Sequence, residues 1–125
     1  MADKKRILIT DDAPVIRLML RDILEHYGYE IVAEAGNGVQ SVEHYKALKP
    51  DLVTMDITMP EKDGIQALEE ILAYDPRAKI VMVTAIDQRD SLMRAIKLGA
   101  VDYIVKPFED DRVISAVTKA LEATA

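Results

Sequence analysis

The sequence predicts an α/β fold, in which an open, doubly wound sheet of five parallel strands carries helices on both faces. Two observations predict it: short apolar runs alternate with segments of helical period, and those runs are apolar almost throughout. Strands of this kind are buried on both faces, as in parallel sheets. Five strand-then-helix units with short connections then require right-handed crossovers, which place helices on both sides.

The five predicted strands are short and rich in branched apolar residues. They span Arg6 to Thr10, Glu30 to Ala35, Leu52 to Asp56, Ile80 to Thr84 and Asp102 to Val105. Glycine and proline residues fall singly between these segments and mark the connections rather than a linker between domains. The pattern therefore predicts one domain over residues 1–125.

A helix is predicted after each strand. The first has Pro14 in its opening turn, where proline is tolerated, and an apolar face of Val15, Ile16, Met19, Leu20, Ile23, Leu24 and Tyr27. The second is expected to end before Pro50 and the third at Asp75-Pro76, since the residue before a proline avoids helical angles. Apolar spacing predicts the last two around Leu92, Ile96, Ile114, Val117 and Leu121.

Composition excludes several classes of function. The 125 residues contain no cysteine, which excludes disulfides, iron–sulfur clusters and thiolate zinc sites, and only two histidines, His26 and His44. A net charge of −6 argues against nucleic-acid binding, which needs a basic surface. No apolar run approaches the roughly 20 residues that span a bilayer, and no leader is evident. We expect a cytoplasmic monomer without membrane insertion.

Polar side chains follow four of the five predicted strands. Asp11 and Asp12 come directly after the first strand, Asp56 ends the third, Thr84 ends the fourth and Lys106 follows the fifth. Because parallel strands end at one edge of the sheet, these side chains should converge there, where ligands bind in such folds. Three converging carboxylates repel one another unless a cation or ligand offsets their charge.

Carboxylates without histidine or thiolate favour Mg²⁺ over zinc or copper. Such a metal leaves positions open for a phosphoryl oxygen, and Lys106 and Thr84 can take the others, while a carboxylate serves as nucleophile. Each residue alone has an ordinary alternative. Asp12 suits a helix N-cap, Thr84 a turn, and Lys106 a solvated surface position. Their joint occurrence at the strand ends favours the site.

The segments around these residues resemble the receiver domain of two-component response regulators, and most closely its single-domain chemotaxis members. They are I-L-I-T-D-D, D-L-V-T-M-D-I-T-M-P-E-K-D-G, I-V-M-V-T-A and G-A-V-D-Y-I-V-K-P-F, and the resemblance covers essentially the whole chain. It implies a flavodoxin-like sheet of strand order 2-1-3-4-5 and a single receiver domain over residues 1–125 without an output domain.

The resemblance also implies the chemistry. Asp56 would be the phosphoacceptor, fed by a phosphohistidine on a sensor histidine kinase. One Mg²⁺ ion would be held directly by Asp12 and Asp56, through water by Asp11, and by the backbone carbonyl of Thr58. The protein would catalyse only its own phosphorylation and dephosphorylation, and would not otherwise be an enzyme.

The resemblance further implies that Thr84 and Lys106 contact the phosphoryl oxygens, and that the Lys106-Pro107 bond is cis so that the lysine points into the site. Tyr103 matches an aromatic residue that swings inward when the threonine moves. Tyrosine in a strand is otherwise a packing residue, and the sequence does not separate the two roles. The implied partner surface contains Arg94, Lys97, Val101 and Tyr103; for Arg94 and Lys97, a plain solvated helix face is equally compatible.

We therefore expect a stand-alone regulator that signals by phosphorylation-dependent protein binding, with the flagellar motor switch protein as the implied target and a phosphatase as a further partner. The alternative is a phosphorelay intermediate or another non-chemotaxis regulator. A metal-dependent aspartyl phosphatase is disfavoured, since it needs a second aspartate two residues after the strand-one nucleophile and Ala13 stands there. A docking scaffold without phosphorylation is disfavoured because no receiver position is missing.

Overall fold

The computed structural model describes residues 4–122. Strands and helices alternate as predicted, and the strands are β1 Arg6–Thr10, β2 Glu30–Ala35, β3 Leu52–Asp56, β4 Ile80–Ala85 and β5 Asp102–Lys106. The helices are α1 Pro14–Tyr27, α2 Gly38–Leu48, α3 Gly64–Tyr74, α4 Arg89–Leu98 and α5 Asp110–Glu122. The fourth and fifth strands each extend one residue beyond the prediction, because the residues at their ends still pair with one another across the sheet.

The five strands form one parallel sheet of order β2-β1-β3-β4-β5, which confirms the predicted fold and strand order. The chain reverses its direction of winding between β1 and β3. At this switch point the two strands are hydrogen-bonded neighbours, so their carboxyl ends lie side by side. The fold therefore places the first residues after β1 against the last residue of β3.

Two apolar layers cover the sheet. Leu8, Met55 and Met82 point to one face, where they pack with residues of α2, α3 and α4. The alternate residues Ile9 and Val83 point to the other face, where they pack with residues of α1 and α5. The central strands are thereby buried on both faces, as their continuous apolarity predicts. The core holds the strand ends in fixed positions.

The apolar face of α1 is narrower than the sequence suggests. Leu20 and Leu24 are buried, whereas Val15, Met19 and Tyr27 are exposed. Helical spacing identifies the apolar stripe, but only its middle faces the sheet, and the residues at its margins reach solvent. Three of the seven residues on the predicted apolar face therefore lie outside the core.

The helix starts differ in how they are capped. Asp63 caps α3 through a reciprocal capping box with Gln66. The cap of α1 is Ala13, which makes no side-chain cap bond, so the ordinary interpretation of Asp12 as an N-cap is wrong. The carboxylate of Asp12 is thereby left exposed beside the strand ends.

Among residues 4–122, no helix has the length and apolarity needed to span a membrane.

Gly64, the first residue of α3, lies against the backbone of β3. Its N–H donates to the carbonyl of Ile57 at 2.7 Å, and a Cβ at Gly64 would lie 1.9 Å from the carbonyl oxygen of Asp56. This contact brings the loop after β3 close to the strand. Only a residue without a side chain fits there.

We predict that Gly64→Ala lowers the free energy of unfolding by about 1–3 kcal/mol, because the backbone of Asp56 must move to admit the methyl group. Urea denaturation measures this. Gly36→Ala is the control, since a Cβ there meets only side-chain atoms at 3.6 Å; we expect a change within about 0.5 kcal/mol. Equal stability of the two variants would contradict the tight contact at Gly64.

Candidate functional site

The candidate site lies at the carboxyl edge of the sheet, where β1 and β3 end. Asp56 is the last residue of β3, and Asp11 is the first residue after β1. The backbone N–H of Asp11 donates to the carbonyl of Ala35 at 3.0 Å, which continues the pairing of β1 with β2 past the strand end. Asp11 is therefore held as firmly as a strand residue, although it belongs to the loop.

The carboxylate of Asp11 is fully buried and oriented on both sides. Its Oδ1 accepts a hydrogen bond from the backbone N–H of Ala13 at 2.9 Å, and its Oδ2 lies 2.9 Å from Nζ of Lys106. The guanidinium of Arg17 donates to the Asp11 carbonyl at 2.6 Å. These contacts fix one face of the site before any ligand is bound.

Three carboxylates and one ammonium meet here. Oxygen atoms of Asp11, Asp12 and Asp56 all lie within 4.8 Å of one another. Nζ of Lys106 lies 3.5 Å from Oδ1 of Asp56 in addition to its contact with Asp11. One positive charge against three carboxylates leaves the ionised cluster with an excess of negative charge, which favours binding of a cation.

Burial and the neighbouring charges shift the pKa values of Asp56 and Lys106. Burial, followed by the neighbouring carboxylate of Asp11, raises the pKa of Asp56 to about 7, and the ammonium of Lys106 opposes the shift only in part. Burial works against the charged form of Lys106, but its close ion pair with Asp11 and the charge of Asp56 outweigh it and raise the pKa of that ammonium. Lys106 therefore stays charged at neutral pH.

The donor set fits a divalent cation. All candidate ligand atoms are carboxylate oxygens, two of the residues are buried and Asp12 is exposed to solvent. Hard oxygen ligands with an open, wet side are typical of Mg²⁺ sites that retain several waters. The cluster thus has the charge, atom type and spacing for one such ion.

The hydroxyl of Thr84 lies at the end of β4 and is buried. Its Oγ1 donates to the carbonyl of Ala85 and to Oε1 of Gln88, both at 3.2 Å. Gln88 also donates through Nε2 to the hydroxyl of Thr58, in the loop after β3. Thr58 and Thr84, both predicted site residues, are therefore linked through a glutamine that the sequence reasoning did not single out.

The β5 end carries the remaining predicted residues. The Lys106-Pro107 bond is cis, the isomer that the resemblance implies. The ring of Tyr103 is 41% exposed, with the guanidinium of Arg112 5.5 Å from its centre. Arg112 also donates to the Tyr103 carbonyl at 2.6 Å and pairs with Asp102 at 3.4 Å.

The residues that the resemblance implies as a partner surface are exposed to solvent. Val101 is 45% exposed, and Arg94 and Lys97 are exposed on α4. Arg94 lies 4.0 Å from Glu69 of α3, a long contact between exposed groups that adds little stability. These residues and Tyr103 belong to one continuous segment of α4 and β5, and none of them belongs to the carboxylate cluster.

The family model described as the response regulator receiver domain matches residues 7–118. The chain belongs to this family. The Chemotaxis protein CheY of Bacillus subtilis is 57% identical over 116 residues, covering 93% of this chain and 97% of the relative. The Chemotaxis protein CheY of Thermotoga maritima is 55% identical over 115 residues, covering 92% and 96%.

Solved structures agree with the fold of this receiver domain. The response regulator domain of Thermotoga maritima CheB has a TM-score of 0.89 at 30% identity, with 98% of this chain and 100% of that chain covered. The CheX-CheY-BeF₃-Mg²⁺ complex from Borrelia burgdorferi has a TM-score of 0.90 at 31% identity, with 95% and 86% covered. Receiver domains of the CheY type are signalling proteins, and receiver domains bind Mg²⁺ in an acidic pocket. In this chain Asp11, Asp12 and Asp56 form an acidic group at the strand ends.

Sequence reasoning missed three residues around the site of the receiver domain: Arg17, Gln88 and Arg112. Arg17 joins the Asp11 carbonyl to Glu34 of β2, with Nε 3.0 Å from the carboxylate. Burial works against ionisation of Glu34, but hydrogen bonds from Arg21 and Arg17 outweigh it and lower its pKa. Arginines on helices and a glutamine in the loop before α4 look like solvated residues in sequence, and only the packing reveals their partners.

We predict that the cost of ionising Asp56, which comes first from its burial and then from the neighbouring carboxylate of Asp11, is measurable as pH-dependent stability without metal. The carboxyl pKa is about 7 in the folded protein against an ordinary 3.8, so folding is weakened progressively as pH rises from about 4 through 7. In EDTA, Asp56→Asn should therefore raise the free energy of unfolding at pH 8 by at least about 1 kcal/mol, and by less at pH 5.

Urea denaturation at both pH values measures the difference. Asp22→Asn, at an exposed position of α1, is the matched control and should change stability little at either pH. The interpretation fails if Asp56→Asn is no more stable than the native protein at pH 8.

Proposed function

We propose that this receiver domain is a response regulator that accepts a phosphoryl group on Asp56 from a phosphohistidine of a sensor histidine kinase. The observation that carries the proposal is the cluster of Asp11, Asp12 and Asp56 with Lys106 at the strand ends. Family membership supports it independently. The roles of the individual residues follow from their positions.

The transfer itself is a displacement at phosphorus. A carboxylate oxygen of Asp56 forms the new O–P bond while the P–N bond to the donor histidine breaks, and the electron pair returns to the imidazole nitrogen, which takes up a proton. The ionised carboxylate is the nucleophile, so the raised pKa of Asp56 makes neighbouring positive charge important. The charged Lys106 lies 3.5 Å from that carboxylate.

Asp12 and Asp56 would hold Mg²⁺ directly, with Asp11 acting through water and the Thr58 carbonyl as a further ligand. When bound, Mg²⁺ neutralises charge on the phosphoryl oxygens and on the carboxylates. Asp11 is already oriented by Ala13 N–H, so the protein pre-forms this side of the site. Lys106 would remain in contact with the phosphoryl group after transfer.

Thr84 and Tyr103 are the proposed switch. Thr84 would donate its hydroxyl proton to a phosphoryl oxygen, and Tyr103 would turn inward into the space that Thr84 leaves. In this structure Tyr103 is exposed and Thr84 donates to Ala85 and Gln88, which is the arrangement expected before phosphorylation if the switch operates in this way. Phosphorylation would then shift the balance between two conformations of the β4 and β5 ends.

The output is proposed to be binding to another protein through Arg94, Lys97, Val101 and Tyr103. Two relatives above 50% identity are named Chemotaxis protein CheY, which favours chemotaxis and the flagellar motor switch protein as target. The Borrelia burgdorferi complex contains CheX with CheY, which supports a further CheX-like partner, such as a phosphatase, for this chain. The proposed location is the cytoplasm, where a sensor kinase presents its phosphohistidine.

We predict one phosphoryl increment in intact mass after incubation with Mg²⁺ and acetyl phosphate. Asp56→Asn should show no increment because the nucleophilic oxygen is replaced by an amide, and EDTA should abolish it in the native protein. A native protein that gains no increment, and that BeF₃⁻ with Mg²⁺ also leaves unperturbed, would sink the phosphoacceptor role of Asp56.

We predict that BeF₃⁻ with Mg²⁺ tightens binding to a purified flagellar motor switch protein at least about tenfold. BeF₃⁻ mimics the phosphoryl group and should raise the fraction of this protein in the conformation that binds the target. Val101→Asp should weaken that binding by burying a charge at the contact. Leu18→Asp, at an exposed apolar position of α1, is the matched control and should not. Equal weakening by both would place the contact elsewhere, and surface plasmon resonance gives both affinities.

A further inference from the structure

The side chain of Gln88 joins two loops at the edge of the candidate site. Its Oε1 accepts the backbone N–H of Ala85 at 2.8 Å and the hydroxyl of Thr84 at 3.2 Å, and its Nε2 donates to the hydroxyl of Thr58. The backbone N–H can only donate, which fixes Oε1 on the Ala85 side and turns Nε2 toward Thr58. The amide therefore has one orientation, and each of its two ends is used.

The hydroxyl of Thr84 has a single proton to donate. In this structure the proton serves Gln88 Oε1 and the carbonyl of Ala85, at distances longer than the usual 2.7–2.8 Å for such bonds. A phosphoryl oxygen on Asp56 would compete for the same proton. The two bonds are long and weak enough to be broken, and Thr84 is buried, so water does not replace them readily.

Gln88 also stands at the start of α4. Its carbonyl accepts the N–H of Leu92, so movement of Gln88 changes the first turn of the helix. Within α4 a single residue, Ala95, is buried, against five in α3. A helix with so little buried surface is the element of the described chain best able to shift when its first turn is released.

We propose that Gln88 is a positioning residue that holds Thr84, Thr58 and the start of α4 in the unphosphorylated arrangement, and that phosphorylation of Asp56 must break this latch. The inference rests on the proposed function, since it requires a phosphoryl oxygen on Asp56 to compete with Gln88 for the proton of Thr84. The latch sets the population of the activated conformation before any ligand binds. Removing it should make the activated conformation easier to reach.

The experiment compares BeF₃⁻ binding at saturating Mg²⁺ in the native protein and in Gln88→Met, which keeps the length of the side chain and removes both ends of the amide. We expect the midpoint of the titration, followed by the amide signals of Thr84 and Ala85 in ¹H–¹⁵N spectra, to fall about two- to tenfold, the effect of about one net hydrogen bond. Gln40→Met is the matched control, since Gln40 Oε1 also accepts a backbone N–H, that of Gly36 after β2, and β1 and β3 separate β2 from β4 in the sheet.

A background lacking the competing hydroxyl isolates the latch from general loosening of the fold. In Thr84→Val the competing proton is absent, while the bonds of Gln88 to Ala85 and Thr58 remain. Adding Gln88→Met to Thr84→Val should therefore lower the BeF₃⁻ midpoint by a smaller factor than it does in the native protein, and an equal factor in both backgrounds overturns competition for the Thr84 proton. A native protein that binds BeF₃⁻ while Gln88→Met has the same or a higher midpoint overturns the latch alone. A native protein that neither binds BeF₃⁻ nor takes a phosphoryl group from acetyl phosphate overturns the proposed function, and the latch with it.

Discussion

Oxygen atoms of three carboxylates, from Asp11, Asp12 and Asp56, lie within 4.8 Å of one another, and the ammonium of Lys106 is the positive group placed against them. The three carboxylates repel one another when ionised, and the apolar core keeps them close together despite this repulsion. Ile7, Leu8, Ile9 and their neighbours in β3 are fully buried, and the free energy of that burial holds the two strand ends together. The protein thus maintains a local charge imbalance that a divalent cation and a phosphoryl group would use.

The two sides of the site are held differently. On the β1 and β3 side, backbone and buried contacts determine the positions: Asp11 receives the Ala13 N–H, and Gly64 closes against the carbonyl of Asp56. On the β4 side, long hydrogen bonds from Thr84 and the amide of Gln88 determine them. A rigid half suits binding of the charged reactants, and an adjustable half suits a change of shape after they bind.

Communication from the site to the surface requires few residues. Thr84 precedes the loop that leads into α4, and its strand pairs with β5, which carries Tyr103. Arg112 of α5 holds the backbone of Tyr103 and lies over its ring, so the outward position of the ring is supported by contacts of its own. In the proposed switch, a change at Thr84 would reach α4 through the loop and β5 through the sheet, and both elements carry the proposed partner surface.

The sequence by itself determined the number, order and type of the elements, because apolar periodicity depends on which residues face a core. The sequence also predicted that Asp11, Asp12, Asp56 and Lys106 lie at the carboxyl edge of the sheet, since parallel strands all end at that edge. The strand order came from resemblance, since parallel pairing alone admits several orders. Tertiary structure alone decided which margin of α1 reaches solvent and that Gln88 joins Thr58 to Thr84. These contacts link segments distant in sequence, and their partners depend on loop paths that no local pattern encodes.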